Sequence, residues 1–221
     1  MNFTRVLRPN DYNLFEGHKE IEKLMPKLNS QYRYEHPHRK WEYGLALDFL
    51  KESGVKTVLE VGGGGSILAP VLAMNGFDVT ETDISNGGET VAQQNQILGT
   101  NIKFVLADFS ESFESLETKF EEFAMFDAVL CVSTIEHVPN HVDMFRNLCL
   151  FAEKAVFLTT DFHPSAETFS TAHLRTYNKE SLEEYKKIAE GFDYNVDWGD
   201  LEYRGNFVYD YTFASLAMRR R

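Results

Sequence analysis

The run Thr57-Val58-Leu59-Glu60-Val61-Gly62-Gly63-Gly64-Gly65-Ser66 constrains this chain more than any other stretch. An apolar, β-type segment closes on a carboxylate, breaks into four glycines and gives way to a helix-like segment from Ile67 to Met74. Glycine is needed where backbone turns sharply and approaches a ligand closely. In α/β proteins, a glycine-rich turn between a strand and a helix N-terminus is where nucleotide-like cofactors bind. About twenty residues further on, a second apolar segment ends at Asp83, where an acidic side chain accepts hydrogen bonds from ribose hydroxyls. The pattern predicts an adenosine-containing cofactor.

The glycine spacing narrows the choice. A dinucleotide fingerprint G-x-G-x-x-G would place its third glycine at Ile67 or Leu68, and neither fits. A phosphate loop of the G-x-x-x-x-G-K-[ST] type is absent. No basic residue occurs between Lys56 and Lys103, so a pyrophosphate would find no counter-charge nearby. The run does fit acidic-x-G-x-G-x-G, from Glu60 through Gly62 and Gly64, with Ser66 in the last place. In this it resembles the first motif of the class I S-adenosylmethionine-dependent methyltransferases.

Strands and helices alternate along the chain. Strands are expected at Thr57 to Val61, Asp78 to Thr82, Ile102 to Ala107, Phe126 to Val132 and Ala155 to Thr160. Helices are expected at Trp41 to Lys51, Ser66 to Asn75, Glu89 to Leu98, Val142 to Glu153 and Ser181 to Ala189, with Glu111 to Phe123 either helix or acidic loop. Such alternation argues for a mostly parallel sheet covered on both faces. The last two strands, Phe192 to Trp198 and Phe207 to Met218, leave no room for a crossover helix and should be antiparallel. The resemblance implies the same architecture: an α/β, Rossmann-like, doubly wound sheet of seven strands, parallel except for one antiparallel strand near the C-terminus. Residues 41–221 form that domain. Residues 1–40, with a helical pattern from Glu16 to Leu28 broken by Pro26, form an extension that either covers the cofactor mouth or packs on the sheet edge.

The resemblance also implies roles. Glu60, Gly62 and Gly64 form the cofactor loop, Asp83 clamps the ribose and Asp108 accepts from the adenine amino group. Ile84 and Phe109 either pack on the adenine face or belong to the core. The segment Phe126 to Pro139, with Ser133, Glu136 and His137, is similar to the "FDxVxxxxxxEHV" stretch of enzymes that methylate small molecules. Ser133 joins the cofactor-binding set. His137 is the candidate general base, since histidine titrates near neutrality; alternatively the Glu-His pair shapes the following loop. His163, His173 and Arg175 lie on the substrate side, Arg175 suited to clamp a carboxylate or phosphate or else paired with one of the chain's acids. The tetrapeptide of amide-nitrogen methylation and the Pro-Cys pair of cytosine methylation are both absent. Oxygen is therefore the expected acceptor atom.

Other functions fit less well. With a formal net charge of −12, the surface repels phosphate backbones, which argues against nucleic-acid partners. No apolar run reaches transmembrane length, and Met1 to Asn10 lacks a signal-peptide core, so no membrane partner is expected. The two cysteines, Cys131 and Cys149, lie in apolar segments and read as buried thiols, consistent with the cytoplasm. Metal spacing is poor: Pro139 interrupts His137 and His141, and Asp161 and His163 alternate on a strand end. The expectation is thus a cytoplasmic enzyme that moves a methyl group from S-adenosylmethionine to a small molecule. A non-catalytic cofactor- or partner-binding domain is the alternative, and a nicotinamide-dependent oxidoreductase a weaker one. The sequence does not give the oligomeric state.

Overall fold

The computed structural model describes residues 2–8, 11, 19–20, 22–23, 38–120, 125–165, 175–203 and 211–221. In chain order its elements are β1 (Arg5–Val6), α1 (His38–Ser53), β2 (Thr57–Val61), α2 (Leu68–Met74), β3 (Asp78–Asp83), α3 (Gly88–Leu98), β4 (Lys103–Leu106), α4 (Phe113–Glu117) and β5 (Phe126–Val132). A 3₁₀ turn (Ile135–His137) follows, then α5 (His141–Phe151), β6 (Ala152–Phe162), α6 (Lys179–Gly191), β7 (Tyr194–Val196) and β8 (Thr212–Arg220).

One sheet runs β1-β8-β6-β5-β2-β3-β4. β2, β3, β4, β5 and β6 are mutually parallel, and β8 is antiparallel to β6. The expected antiparallel pairing of the last two strands is present, with Tyr194 opposite Arg220. The sheet has eight strands where seven were expected, because Arg5 and Val6 pair with Ser215 and Ala214. Lengthwise, β1 and β7 share the outer side of β8. The bridge between Thr4 and Trp198 ties the two together. Of the expected extension, residues 2–8 lie at this sheet edge. The segment from Glu16 to Leu28 falls mostly outside the described residues.

Both faces are covered, and successive strand residues serve opposite cores. Val58, Val79, Ala128, Leu130 and Phe157 pack with Trp41, Leu45, Leu68, Leu72 and Val91 from α1, α2 and α3. Leu59, Val129, Cys131, Val156 and Leu158 pack with Leu116, Met144, Phe145, Leu148, Leu182 and Tyr185 from α4, α5 and α6. Cys131 and Cys149 are buried free thiols. Helix ends follow local chemistry. α3 stops at Gly99 (φ 68), a left-handed cap. α6 starts with a capping box in which Asn178 and Ser181 exchange hydrogen bonds.

This winding fixes where a ligand can sit. From β2 the chain goes outward to β3 and β4, then returns to place β5 on the other side of β2. A crevice opens above the carboxyl ends of β2 and β5, at the point where the strand order reverses. Gly62 and Gly64 follow β2, Ser133 and His137 follow β5, and Asp83, Asp108 and His163 end or follow β3, β4 and β6.

Candidate active site

The glycine turn leaves β2 at Val61 and crosses the crevice. Gly62 has φ 79, and a Cβ there would collide with the Thr134 side chain, which follows β5. Thr134 Oγ1 donates to the Gly62 carbonyl at 3.3 Å. Gly62 is therefore required both by its backbone angle and by the close approach of two loops. At Gly64 (φ 56) a Cβ would come 3.3 Å from Asp83 Oδ2, so its missing side chain keeps open a space beside that carboxylate.

Two aspartates close the neighbouring strands in the same way. Asp83 Oδ1 accepts from the Ser85 N–H (2.7 Å) and hydroxyl (2.6 Å). Asp108 Oδ1 accepts from the Ser110 N–H (2.9 Å) and hydroxyl (2.7 Å). Each uses one oxygen to brace its own turn. Ile84 is 74% exposed, a large apolar side chain held at the surface beside Asp83. Phe109 is only 2% exposed and packs its ring against Phe120 and Phe151. Of the two readings of Phe109, its position supports the core: the aromatic cluster beneath β4 and β5 takes the ring.

Beneath the loop lie two carboxylates. Glu60 Oε1 accepts from the Ser66 hydroxyl at 2.7 Å, and Glu81 Oε1 accepts from the Gly65 N–H. Burial, then the charge of Glu81, raises the Glu60 carboxyl far above its usual range. Burial, then the charge of Asp83, raises Glu81 against the opposing Gly65 N–H.

A second acidic group lies beyond β5 and β6. Glu42, fully buried on α1, accepts from the hydroxyls of Ser133 and of Thr159 (2.6 Å) and pairs with Arg39 at 3.1 Å. Ser133 itself holds a positive φ of 44. Thr160 Oγ1 donates to Glu136 Oε2 at 3.4 Å. Burial, then the charge of Asp161, raises Glu136. Burial, then the charge of Glu42, lifts Asp161 to about 7, while Arg39 opposes. The phenol of Tyr43, raised by burial, feels the charges of Arg39, Glu60, Glu42 and Glu81 and so lies between the two acidic groups.

His137 is exposed at the end of the 3₁₀ turn, next to buried Glu136. His163 Nδ1 pairs with the Ser165 hydroxyl at 2.6 Å, and its ring meets Tyr203 edge-on. Arg175 donates to the Pro139 carbonyl at 3.3 Å, which places it over the turn that carries His137. His173 lies outside the described residues. Pattern reading missed Arg39, Glu42, Tyr43, Glu81 and Asp161. The signal available for Glu42 was a charge inside a helix of apolar spacing; Glu81 carries no local one.

A doubly wound sheet with an acidic-glycine turn after β2 and carboxylates closing β3 and β4 has the class I methyltransferase fold. Residues 59–150 match the family model described as a methyltransferase domain. The curated ubiquinone biosynthesis O-methyltransferase of Photobacterium profundum is 38% identical over 87 residues, 38% of this chain and 34% of that one. The protein of the same name from Pseudoalteromonas translucida is 32% identical over 123 residues, 52% of this chain and 50% of that one. The chain thus spans half or less of the length of these relatives. Among solved structures, magnesium protoporphyrin IX methyltransferase from Synechocystis PCC 6803, with bound SAH, superposes at a TM-score of 0.60, 18% identity, 81% of this chain and 82% of that one. The [4+2]-cyclase SpnF superposes at 0.63, 14% identity, covering 97% of each. These similarities show the fold.

Proposed function

We propose that this chain is an S-adenosylmethionine-dependent methyltransferase acting on a small molecule at oxygen. The observation that carries the proposal is the loop Glu60–Ser66, set between Thr134 and Asp83 at the switch point, with three of its glycines, Gly62, Gly64 and Gly65, at positive φ. The donor set suits the cofactor. Asp83 and Asp108 present carboxylates to hydroxyl and amino groups, Ile84 offers an apolar surface, and the sequence holds no basic residue between Lys56 and Lys103 to meet a phosphate. The names of the curated relatives support oxygen as the acceptor atom.

When bound, the cofactor supplies a methyl group already activated by a sulfonium. The chain's own residues do the rest. Gly62 and Gly64 admit the methionyl part, Asp83 orients the ribose and Asp108 the adenine. A hydroxyl acceptor must lose a proton before or during transfer, and His137 is placed on the mouth side of β5 to take it at a ring nitrogen. His163 and Arg175 flank the acceptor, Arg175 binding an anionic group. Alignment of the acceptor and exclusion of water provide the remainder of the rate. We place the protein in the cytoplasm, without nucleic-acid or membrane partners.

SpnF, named a [4+2]-cyclase, shares the fold, so the fold alone does not establish methyl transfer. Calorimetric titration with S-adenosylmethionine, S-adenosylhomocysteine and NAD should show binding of the first two alone. Mass spectrometry over a panel of phenols and hydroxy acids should then show a gain of one methyl. Adenosyl binding with no methyl gain on any acceptor would favour the non-catalytic reading, and NAD binding alone would favour the oxidoreductase.

A further inference from the structure

The loop rests on a pair of carboxylates that the proposed reaction does not itself require. Glu60 and Glu81 are lateral partners on the adjacent parallel strands β2 and β3. Like Val58 and Val79, two residues earlier on each strand, they face the α1–α3 side, over which the glycine turn folds. Both are buried. Each gives one oxygen to the loop, Glu60 to Ser66 and Glu81 to Gly65, and Glu81 Cδ would lie 2.7 Å from a Cβ at Gly63. The other oxygen of each, Oε2, is buried without a hydrogen-bond partner. Two neighbouring carboxylates in such a place cannot both ionise freely, and two orphaned acceptors call for a donor.

We propose that Glu81 is a positioning residue of the cofactor loop that shares one proton with Glu60, and that seating an adenosyl amino acid with its ammonium group on the loop releases this proton to solvent. The inference rests on the cofactor reading above. Without ligand, the shared proton lies between the carboxylates and holds the loop in place. When an ammonium-bearing ligand settles on the loop, its positive charge favours the doubly ionised pair. The proton then leaves to buffer, and no bond to carbon changes. The charged and titratable groups around the pair are Arg39, Glu42 and Tyr43 from α1, Asp83 from β3 and Cys131 from β5. Gln94 and Thr90 from α3 meet the loop as neutral groups. Arg39 is the one cation among the groups named, and it is also paired with Glu42.

The test is calorimetry with S-adenosylhomocysteine, which carries the ammonium but no transferable methyl. Titration at neutral pH in buffers of differing ionisation enthalpy reads protons released per ligand bound. Wild type should release a substantial fraction of one proton. E81Q keeps an oxygen for the Gly65 N–H and should still bind, with that release abolished. A wild type that releases none, or an E81Q that releases as much, overturns the proposal; a merely structural Glu81 predicts the latter. If E81Q does not fold, E60Q is the second variant with the same expectation. If folded wild type binds no adenosyl ligand, the cofactor reading has failed, and the pair is judged alone. Carboxyl-labelled glutamate NMR of the ligand-free protein should then show one carboxyl titrating near neutrality that E81Q lacks. Its absence would overturn the shared proton.

Discussion

The hydroxyl of Ser133, at the carboxyl end of β5, donates to the buried carboxylate of Glu42, 91 residues earlier on α1. Thr159 on β6 donates to the same oxygen, and Arg39 pairs with the other. One side chain thus ties the first helix to two central strands where the crevice opens. Removing one partner of a buried, paired charge leaves the others without theirs. Glu42→Ala should lower unfolding free energy by about 3–5 kcal/mol, and Glu42→Gln by roughly half of that. Denaturant titration decides; a loss below about 1 kcal/mol for Glu42→Ala would show that the network does not hold the helix.

Asp83 uses one oxygen for Ser85 and turns the other toward Gly64. Asp83→Ala should weaken binding of S-adenosylhomocysteine by at least about 10-fold while costing only about 1 kcal/mol of stability. Wild-type affinity in Asp83→Ala would remove Asp83 from the ribose.

Stability should depend on pH in an unusual direction. Burial lifts Glu60 to about 8, and Glu81 and Asp161 to about 7. Between their ordinary values near 4 and these raised ones, the folded chain holds protons that the unfolded chain has released. Their contribution is therefore complete in acid and is lost as pH rises toward about 8. Asp127 works the other way. Despite burial, Lys154 and the Lys56 and Thr57 N–H groups hold it below its usual range, so its contribution disappears only in stronger acid. The ligand-free protein should melt about 5–10 °C lower at pH 8 than at pH 5, with the slope reduced in E81Q. Thermal melts across that range would contradict this if the midpoint rose with pH.

His137 is exposed, so His137→Ala should fold normally and bind cofactor unchanged. If it takes the acceptor proton, turnover should fall about 100-fold and the acid limb of the pH–rate profile should vanish. An unchanged profile would leave proton removal to another group. Arg175→Lys should act on the other parameter, raising KM for an anionic acceptor roughly 10-fold with little effect on kcat.

The glycine turn and the carboxylates beside it were legible because glycine and strand-end aspartate leave a local signature. Gly62, Gly64, Asp83 and Asp108 all stand where backbone pattern demands a particular residue. Glu81 left none. In Asp78-Val79-Thr80-Glu81-Thr82-Asp83 polar and apolar residues mix as they do on a half-exposed strand, and only the covering of both sheet faces shows Glu81 to be buried. Phe109 was open between two readings for the related reason that an aromatic beside a strand-end acid suits a ligand and a core equally. β1 escaped because two residues carry no period, and Glu42 because its partners come from strands distant in sequence.

The split outer side of β8 has a consequence for self-association. A nine-residue strand at the rim of a sheet would offer a long row of unpaired N–H and C=O groups to any neighbouring chain. Here two short pieces, β1 and β7, occupy that row end to end, and each exposes only two or three residues of its own ladder. The opposite rim, β4, is four residues long and opens on Lys103. Among the described residues neither margin offers a strand long enough to template aggregation, so this protein should resist edge-to-edge stacking when concentrated.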